Sequence, residues 1–180
     1  GIGRRQRQMC IRDRAKIEGF ETLIRWHSPK LGQVSPAEFV PIAESCGLFV
    51  LIDQWVIKNA FCQFAELQSL INNDIKLAIN ISSAQLSLNG LTQYVIDQAH
   101  ACNVSPDSIR FEITETLNVE YDDQAASFIK SLTELGFHIA IDDFGNGYTS
   151  LVQLVEFPAT MIKFDKTFID KTLDGGNRNM

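Results

Sequence analysis

The sequence places oxygen-bearing side chains in successive stretches that otherwise have the composition of buried β-strands. A parallel strand covered on both faces is expected to be apolar throughout, and burying an unpaired polar group in it costs several kcal/mol. Each such side chain is therefore expected to be paired or bound to a metal ion. In chain order, the set is Glu21, Asn80, Glu112, Asp142 and Asp143.

Two of these acids, Asp142 and Asp143, are adjacent and would repel each other at a dry strand end. A divalent cation would neutralise them. The set contains no His or Cys, and all-oxygen ligands select magnesium, manganese or calcium over zinc. More than one carboxylate for each ion indicates a two-metal site, which typically serves in-line phosphoryl displacement. The alternative, left open by the residues alone, is that the acids cap helices or pair with Arg25 and Lys163.

The segments that must position these side chains alternate between strand and helix patterns. Ser35, Pro36 and Glu38 form a helix-start signal, and Gly47 is placed to stop that helix. An apolar stripe predicts a second helix at about 48–67, and a third is predicted at about 122–135. The predicted strands are 17–26, 76–82, 109–114, 137–143 and 160–165.

Alternating strands and helices imply a parallel sheet, either open and doubly wound or closed into a (β/α)8 barrel. The polar residues favour the barrel, because barrel enzymes place their chemistry at the carboxyl ends of the strands. A complete barrel needs eight strands and roughly 250 residues, whereas this chain has 180 residues and five predicted strands. We therefore predict an α/β fold of the TIM (β/α)8 type that is incomplete in this chain.

Composition excludes several classes of protein. The net charge of -6 argues against binding to a nucleic-acid polymer. Five arginines fall within residues 1–14, which we expect to be a non-native or disordered segment outside the fold, with a basic arm as the alternative.

The four cysteines are widely spread, which predicts reduced thiols. No transmembrane segment or signal peptide is visible in the sequence.

Five motifs in series carry a resemblance to a known family. They are ETLIRW (21–26), NISSAQL (80–86), FEITET (111–116), DDFGNGYTSL (142–151) and IKFDKTFI (162–169). In order and spacing they resemble the EAL-domain phosphodiesterases of bacteria, which hydrolyse cyclic di-GMP. The DFG at 143–145 is not a kinase motif, since no H-R-D-type loop or glycine-rich nucleotide loop precedes it.

The resemblance implies a modified TIM barrel with one antiparallel strand, and two magnesium or manganese ions that promote opening of cyclic di-GMP to linear pGpG. It implies that Lys163 orients or polarises the attacking water, and that Arg25 and Asp165 contact the substrate. Glu115 would anchor the loop that starts at Asp143. The metal ligands implied are Glu21, Asn80, Glu112, Asp142 and Asp143.

The resemblance covers residues 16–180 with small departures, and residues 15–180 are expected to form a partial EAL domain. Thr22 replaces the usual Ala or Val, and Asn146 replaces a usual Thr. The family's first strand, and the later strands that carry its proposed general-base glutamate, are expected to lie outside this chain. We therefore expect residues 1–180 alone to be inactive.

Two other functions remain open at this point: an inert domain that binds cyclic di-GMP as a receptor, and a protein-interaction module that binds neither nucleotide nor metal. The resemblance also implies a homodimer of the complete domain and upstream GGDEF or sensory domains. The expected location is the cytoplasm, with membrane tethering of the full-length protein left open.

Overall fold

The chain alternates strands and helices through most of its length. The computed structural model describes residues 6–12, 16–71, 74–86, 89–114, 123–144 and 159–165. The strands are β1 (Gln6–Arg12), β2 (Lys16–Leu23), β3 (Trp26–Ser28), β4 (Gly32–Val34), β5 (Lys76–Ile81), β6 (Ile109–Thr114), β7 (His138–Phe144) and β8 (Met161–Phe164). The helices are α1 (Pro36–Ser45), α2 (Phe49–Leu70), α3 (Ser83–Leu86), α4 (Leu91–Ala101) and α5 (Asp123–Glu134), with a 3-10 turn at Pro106–Ser108.

The main sheet has the strand order β1-β2-β5-β6-β7-β8. Strands β2, β5, β6, β7 and β8 are mutually parallel, and β1 pairs with β2 in the antiparallel direction. Close approach of β2 to β5 depends on Gly19, since a Cβ there would lie 2.5 Å from the carbonyl oxygen of Lys76. Strands β3 and β4 form a separate antiparallel pair. The predicted parallel sheet is confirmed.

One continuous apolar core joins the helices to one face of the sheet. It contains Ile57 and Phe61 of α2, Val95 of α4 and Ile129 of α5. Burying side chains of this size stabilises the fold by roughly 1.5–3 kcal/mol each. The strands contribute alternate residues to this core: Leu77, Ile79, Ile81, Ile109, Phe111, Ile113 and Ile139. Among the described residues, α2, α4 and α5 pack on the same face of a mostly parallel sheet, as the helices of a barrel do, and the prediction of an incomplete TIM-type α/β fold is confirmed.

The predicted helix signals are present, with one correction to the buried face of α2. The Glu38 carboxylate accepts the Ser35 amide hydrogen at 3.1 Å, and Gly47, at φ 68°, lies just after α1. The start of the predicted apolar stripe does not pack inward, since Leu48, just before α2, and Leu51 in its first turn are 52% and 63% exposed. The sheet covers a later part of this long helix. No described helix is long and apolar enough to cross a membrane.

The N-terminal segment and the cysteines differ from expectation. Residues 6–12, within the segment 1–14 expected to lie outside the fold, form β1, the antiparallel edge strand of the sheet. Ladder pairing uses backbone groups, so a strand of this composition can still extend the sheet.

Cys62 of α2 and Cys102, which follows α4, form a disulfide with their Cα atoms 4.9 Å apart. This corrects the prediction of reduced thiols for these two residues, because the packing of the two helices brings together cysteines 40 residues apart, whereas Cys46 is free.

Candidate functional site

Four of the predicted ligands lie on the face of the sheet opposite the helices. Asn80 aligns with Glu112 across the β5–β6 ladder. Glu21 aligns two positions before Asn80, and Asp142 aligns two positions after Glu112. Because side chains two residues apart on a strand share a face, these four share one face near the carboxyl ends of their strands. We call Glu21, Asn80, Glu112, Asp142 and Asp143 the acidic edge.

Direct contacts link these side chains to one another and to a lysine of β8. Asn80 donates from Nδ2 to Glu21 Oε1 at 3.0 Å. Lys163 Nζ donates to Glu112 Oε2 at 2.8 Å and to Asp142 Oδ2 at 3.1 Å. The Glu112 side chain is 2% exposed, so its negative charge is removed from water and depends on this ammonium. The alternative that the acids pair with Lys163 is therefore realised for Glu112 and Asp142.

A bulge in β7 explains how two adjacent aspartates both reach this site. Ile141 aligns with Ile162 and Phe144 aligns with Phe164, so β7 has one more residue than β8 between these pairs. Asp142 and Asp143 consequently oppose the single residue between Ile162 and Phe164, which is Lys163.

Asp143 adopts a left-handed backbone conformation at this bulge. Its φ is 56°, and its amide donates to Asp142 Oδ1 at 2.9 Å. Aspartate and asparagine tolerate this region better than most residues. A local departure from regular strand geometry therefore allows both adjacent acids to lie near the same site.

The electrostatics of the acidic edge show an excess of negative charge. Burial raises the pKa of Glu112, with Asp142 and Glu21 adding to the effect, while the Lys163 hydrogen bond and charge oppose it. Burial also raises the pKa of Asp143, as do the charges of Asp142 and Asp165. These carboxylates are only partly compensated by one ammonium, and additional positive charge would stabilise them.

Lys163 remains protonated at neutral pH. Burial lowers the pKa of its ammonium, but the hydrogen bonds and charges of Glu112 and Asp142 together outweigh burial. The pKa of Lys163 is therefore held above its ordinary value. A permanently charged lysine can donate hydrogen bonds and stabilise negative charge, but it cannot serve as a general base.

The other residues named from the sequence lie either at the carboxyl ends of the strands or outside the residues that the structure describes. Arg25 is half-buried beyond the carboxyl end of β2, and its Nη1 donates to the Ile24 carbonyl at 2.7 Å. Asp165 follows β8, and its charge acts on Asp143. Glu115 and Asn146 lie outside the described residues.

Thr22, the departure within the family's signature triplet, is placed away from the acidic edge. It aligns with Ile79, which belongs to the core on the helix side of the sheet. The Glu21 side chain therefore occupies the opposite face from Thr22. The expectation that this departure has little effect on the site agrees with that placement.

The donor set fits divalent magnesium or manganese in chemical type. Every member of the acidic edge offers oxygen, and a hard cation prefers such ligands. As the side chains stand, no group of three or more His, Cys, Asp and Glu among the described residues is arranged to hold a metal ion. Instead, the Lys163 ammonium lies between two of the carboxylates. The uncompensated charge described above is the observation that favours an added cation.

A polar pair beside β5 was not identified from the sequence. Gln85 is 2% exposed and accepts the Ser82 amide hydrogen at its Oε1, 2.8 Å away. It also hydrogen-bonds the side chain of Asp53 on α2. The Ser-x-x-Gln spacing of a capping box was the available signal for the first contact. No local pattern indicates the second.

Comparison with known proteins identifies relatives over nearly the whole chain. The chain is 46% identical over 165 residues to the biofilm architecture maintenance protein MbaA of Vibrio cholerae, covering 92% of this chain and 21% of that protein. It is 35% identical to the cyclic di-GMP phosphodiesterase PdeR of Escherichia coli, covering 87% of this chain and 23% of PdeR. The chain thus spans about a fifth of the length of these relatives.

A solved structure shows the same fold. The structure of the PaMucR phosphodiesterase in complex with cyclic di-GMP matches with a TM-score of 0.86 and 31% identity, covering 94% of this chain and 69% of that one. The profile of the EAL domain family matches residues 8–180. The chain therefore belongs to the EAL domain family.

Proposed function

We propose that this chain contributes the metal-binding edge of a phosphodiesterase that hydrolyses cyclic di-GMP to linear pGpG. The observation that carries the proposal is the grouping of Glu21, Asn80, Glu112 and Asp142 on one face of the sheet, where Lys163 hydrogen-bonds Glu112 and Asp142, and Asp143 lies next to them at the bulge. Relatives of the chain include PdeR, which is named as a cyclic di-GMP phosphodiesterase. A barrel places its chemistry at this end of its strands.

The five residues of the acidic edge would hold two magnesium or manganese ions. When bound, such ions supply Lewis-acid catalysis for in-line phosphoryl displacement. The residues themselves contribute a fixed arrangement of negative charge, because Asn80 and Glu21 are hydrogen-bonded to each other and Glu112 is buried. A fixed arrangement of charge lowers the activation barrier, because the charged groups do not have to reorient during the reaction.

The reaction adds one water across one phosphodiester bond of the substrate. A new bond forms between the water oxygen and phosphorus, the bond from phosphorus to the sugar O3′ breaks, and the product keeps a 5′ phosphate. The charged Lys163 ammonium can hold the attacking water by donating a hydrogen bond, or stabilise charge on the phosphoryl oxygens. Since its pKa is raised, the proton of the water must pass to another group.

Arg25→Ala is expected to raise the KM for cyclic di-GMP by about tenfold or more, with a smaller effect on kcat. The guanidinium has donors beyond the one that contacts Ile24, and it can hold a phosphate through a charge-assisted, bidentate contact. Arg25→Lys is the matched variant, since it keeps the charge and loses the fork geometry. Steady-state kinetics measure both constants, and an Arg25→Ala defect confined to kcat would contradict a substrate-binding role.

Three outcomes of one assay separate the functions considered. The full-length protein that contains this chain is incubated with cyclic di-GMP and Mg²⁺, Mn²⁺ or a chelator, and the nucleotides are separated by chromatography. We expect pGpG with either metal and intact substrate with the chelator. Intact cyclic di-GMP in every condition, together with binding of the nucleotide in a parallel equilibrium dialysis, would identify a receptor. Absence of both binding and cleavage would favour a protein-interaction module.

A further inference from the structure

A buried hydrogen-bonded connection joins α2 to the turn that follows β5. Gln85 of α3 is buried, and its Oε1 accepts the Ser82 amide hydrogen at 2.8 Å. The same side chain hydrogen-bonds the carboxyl group of Asp53 on α2. Through these two contacts, one glutamine links elements that are far apart in the chain. A buried side chain with this many satisfied polar groups has little freedom to move.

The connection leads directly to the acidic edge. Ser82 lies two residues after Asn80, and the backbone N–H of Gln85 donates to the Ser82 carbonyl at 3.1 Å. The turn from β5 into α3 is thus held by both the backbone and the side chain of Gln85. Asn80 is itself hydrogen-bonded to Glu21. The orientation of Asn80 therefore depends on where this turn is fixed.

Asp53 serves this connection as a neutral group. Burial raises its pKa to about 8, with the Gln85 hydrogen bond opposing the shift and the charge of Glu44 adding to it. At pH 7 the protonated form predominates, and an asparagine would match it in size and in its oxygen acceptor. Asp53 Oδ2 is enclosed, with no hydrogen-bond partner among the residues that the structure describes. Asp53 is thus suited to orient Gln85 without placing another negative charge near the site.

We propose that Asp53 and Gln85 are positioning residues that fix the end of β5 so that Asn80 meets the carboxylates of the acidic edge. The proposal rests on the proposed function, in which Asn80 is a metal ligand. Neither residue touches metal or substrate; both act through Ser82 and Asn80. Groups that orient metal ligands typically contribute about 10–100-fold to metal affinity.

The test is a titration of Mn²⁺ into the full-length protein, followed by calorimetry and by the electron paramagnetic resonance signal of free Mn²⁺. We expect Gln85→Ala and Asp53→Ala to weaken Mn²⁺ binding by about tenfold or more. Asp53→Asn is expected to bind Mn²⁺ as the wild type does. Ser108→Ala is the matched control, because it removes a buried hydroxyl that donates to the Ser105 carbonyl at the amino end of β6.

Melting curves of all variants separate positioning from general loss of stability. The proposal holds if Ser108→Ala lowers the melting temperature without changing Mn²⁺ affinity, while Gln85→Ala lowers both. Unchanged Mn²⁺ affinity in Gln85→Ala, or an equal loss in Ser108→Ala, would overturn it. If Gln85→Ala does not fold, the two Asp53 variants decide, and equal affinities in Asp53→Ala and Asp53→Asn would overturn it. A wild type that binds no Mn²⁺ would instead refute the metal dependence in the proposed function.

Discussion

Asp142→Asn is expected to lower kcat/KM for cyclic di-GMP by about a hundredfold or more, and Asp143→Asn by a similar factor. Each change keeps the size of the side chain and removes a negative charge that the proposed metal ions would require. The fold should persist, since asparagine tolerates the left-handed backbone of Asp143. Steady-state kinetics and a melting curve of the full-length protein measure the two effects separately.

Asp107→Asn provides the matched control for these substitutions. Asp107 is exposed at the amino end of the sheet, where it accepts hydrogen bonds from Lys76 and contacts His138. The same chemical change there removes a carboxylate from the opposite end of the strands. We expect normal turnover in Asp107→Asn. Near-normal turnover in Asp142→Asn and Asp143→Asn, with unchanged melting, would show that these acids are structural.

Lys163→Met is expected to reduce kcat by about a hundredfold or more while changing KM little. The ammonium contacts Glu112 and Asp142 at hydrogen-bonding distance, and methionine keeps much of its length without the charge. The buried Glu112 carboxylate would lose its counter-charge, so its pKa would rise further. Separate measurement of kcat and KM distinguishes this loss from a defect in substrate binding.

Lys76→Met is the corresponding control for Lys163→Met. Lys76 pairs with Asp107 at 2.7 Å at the amino end of β5, far along the strand from Asn80. Its removal is expected to affect stability rather than turnover. A large rise in KM with unchanged kcat in Lys163→Met would contradict the assigned role of Lys163.

The parallel strands could be located from sequence because each is a short apolar run between helices. The predicted segment 109–114 coincides with β6, and the other parallel strands agree within a few residues at most ends. The stripe of Leu91, Val95 and Ala99 would have predicted α4 as well, since these residues recur at helical spacing and are buried. This part of the fold could therefore be predicted from the local spacing of apolar residues.

The features that were not predicted depend on contacts between distant segments. The bulge at Asp143 is defined by the register of β7 against β8, which no single strand reveals. The disulfide of Cys62 with Cys102 requires α2 and α4 to pack together. The contact of Asp53 with Gln85 likewise joins α2 to α3. The oxygen-bearing side chains of the acidic edge were visible in the sequence, but their geometry was not.

The most direct test of metal binding at the acidic edge is anomalous diffraction from crystals of the full-length protein grown with Mn²⁺. We expect two anomalous peaks among the oxygen atoms of Glu21, Asn80, Glu112, Asp142 and Asp143, and loss of peak height in Asp142→Asn. Peaks absent from this edge at saturating Mn²⁺, or located only elsewhere in the domain, would contradict the account.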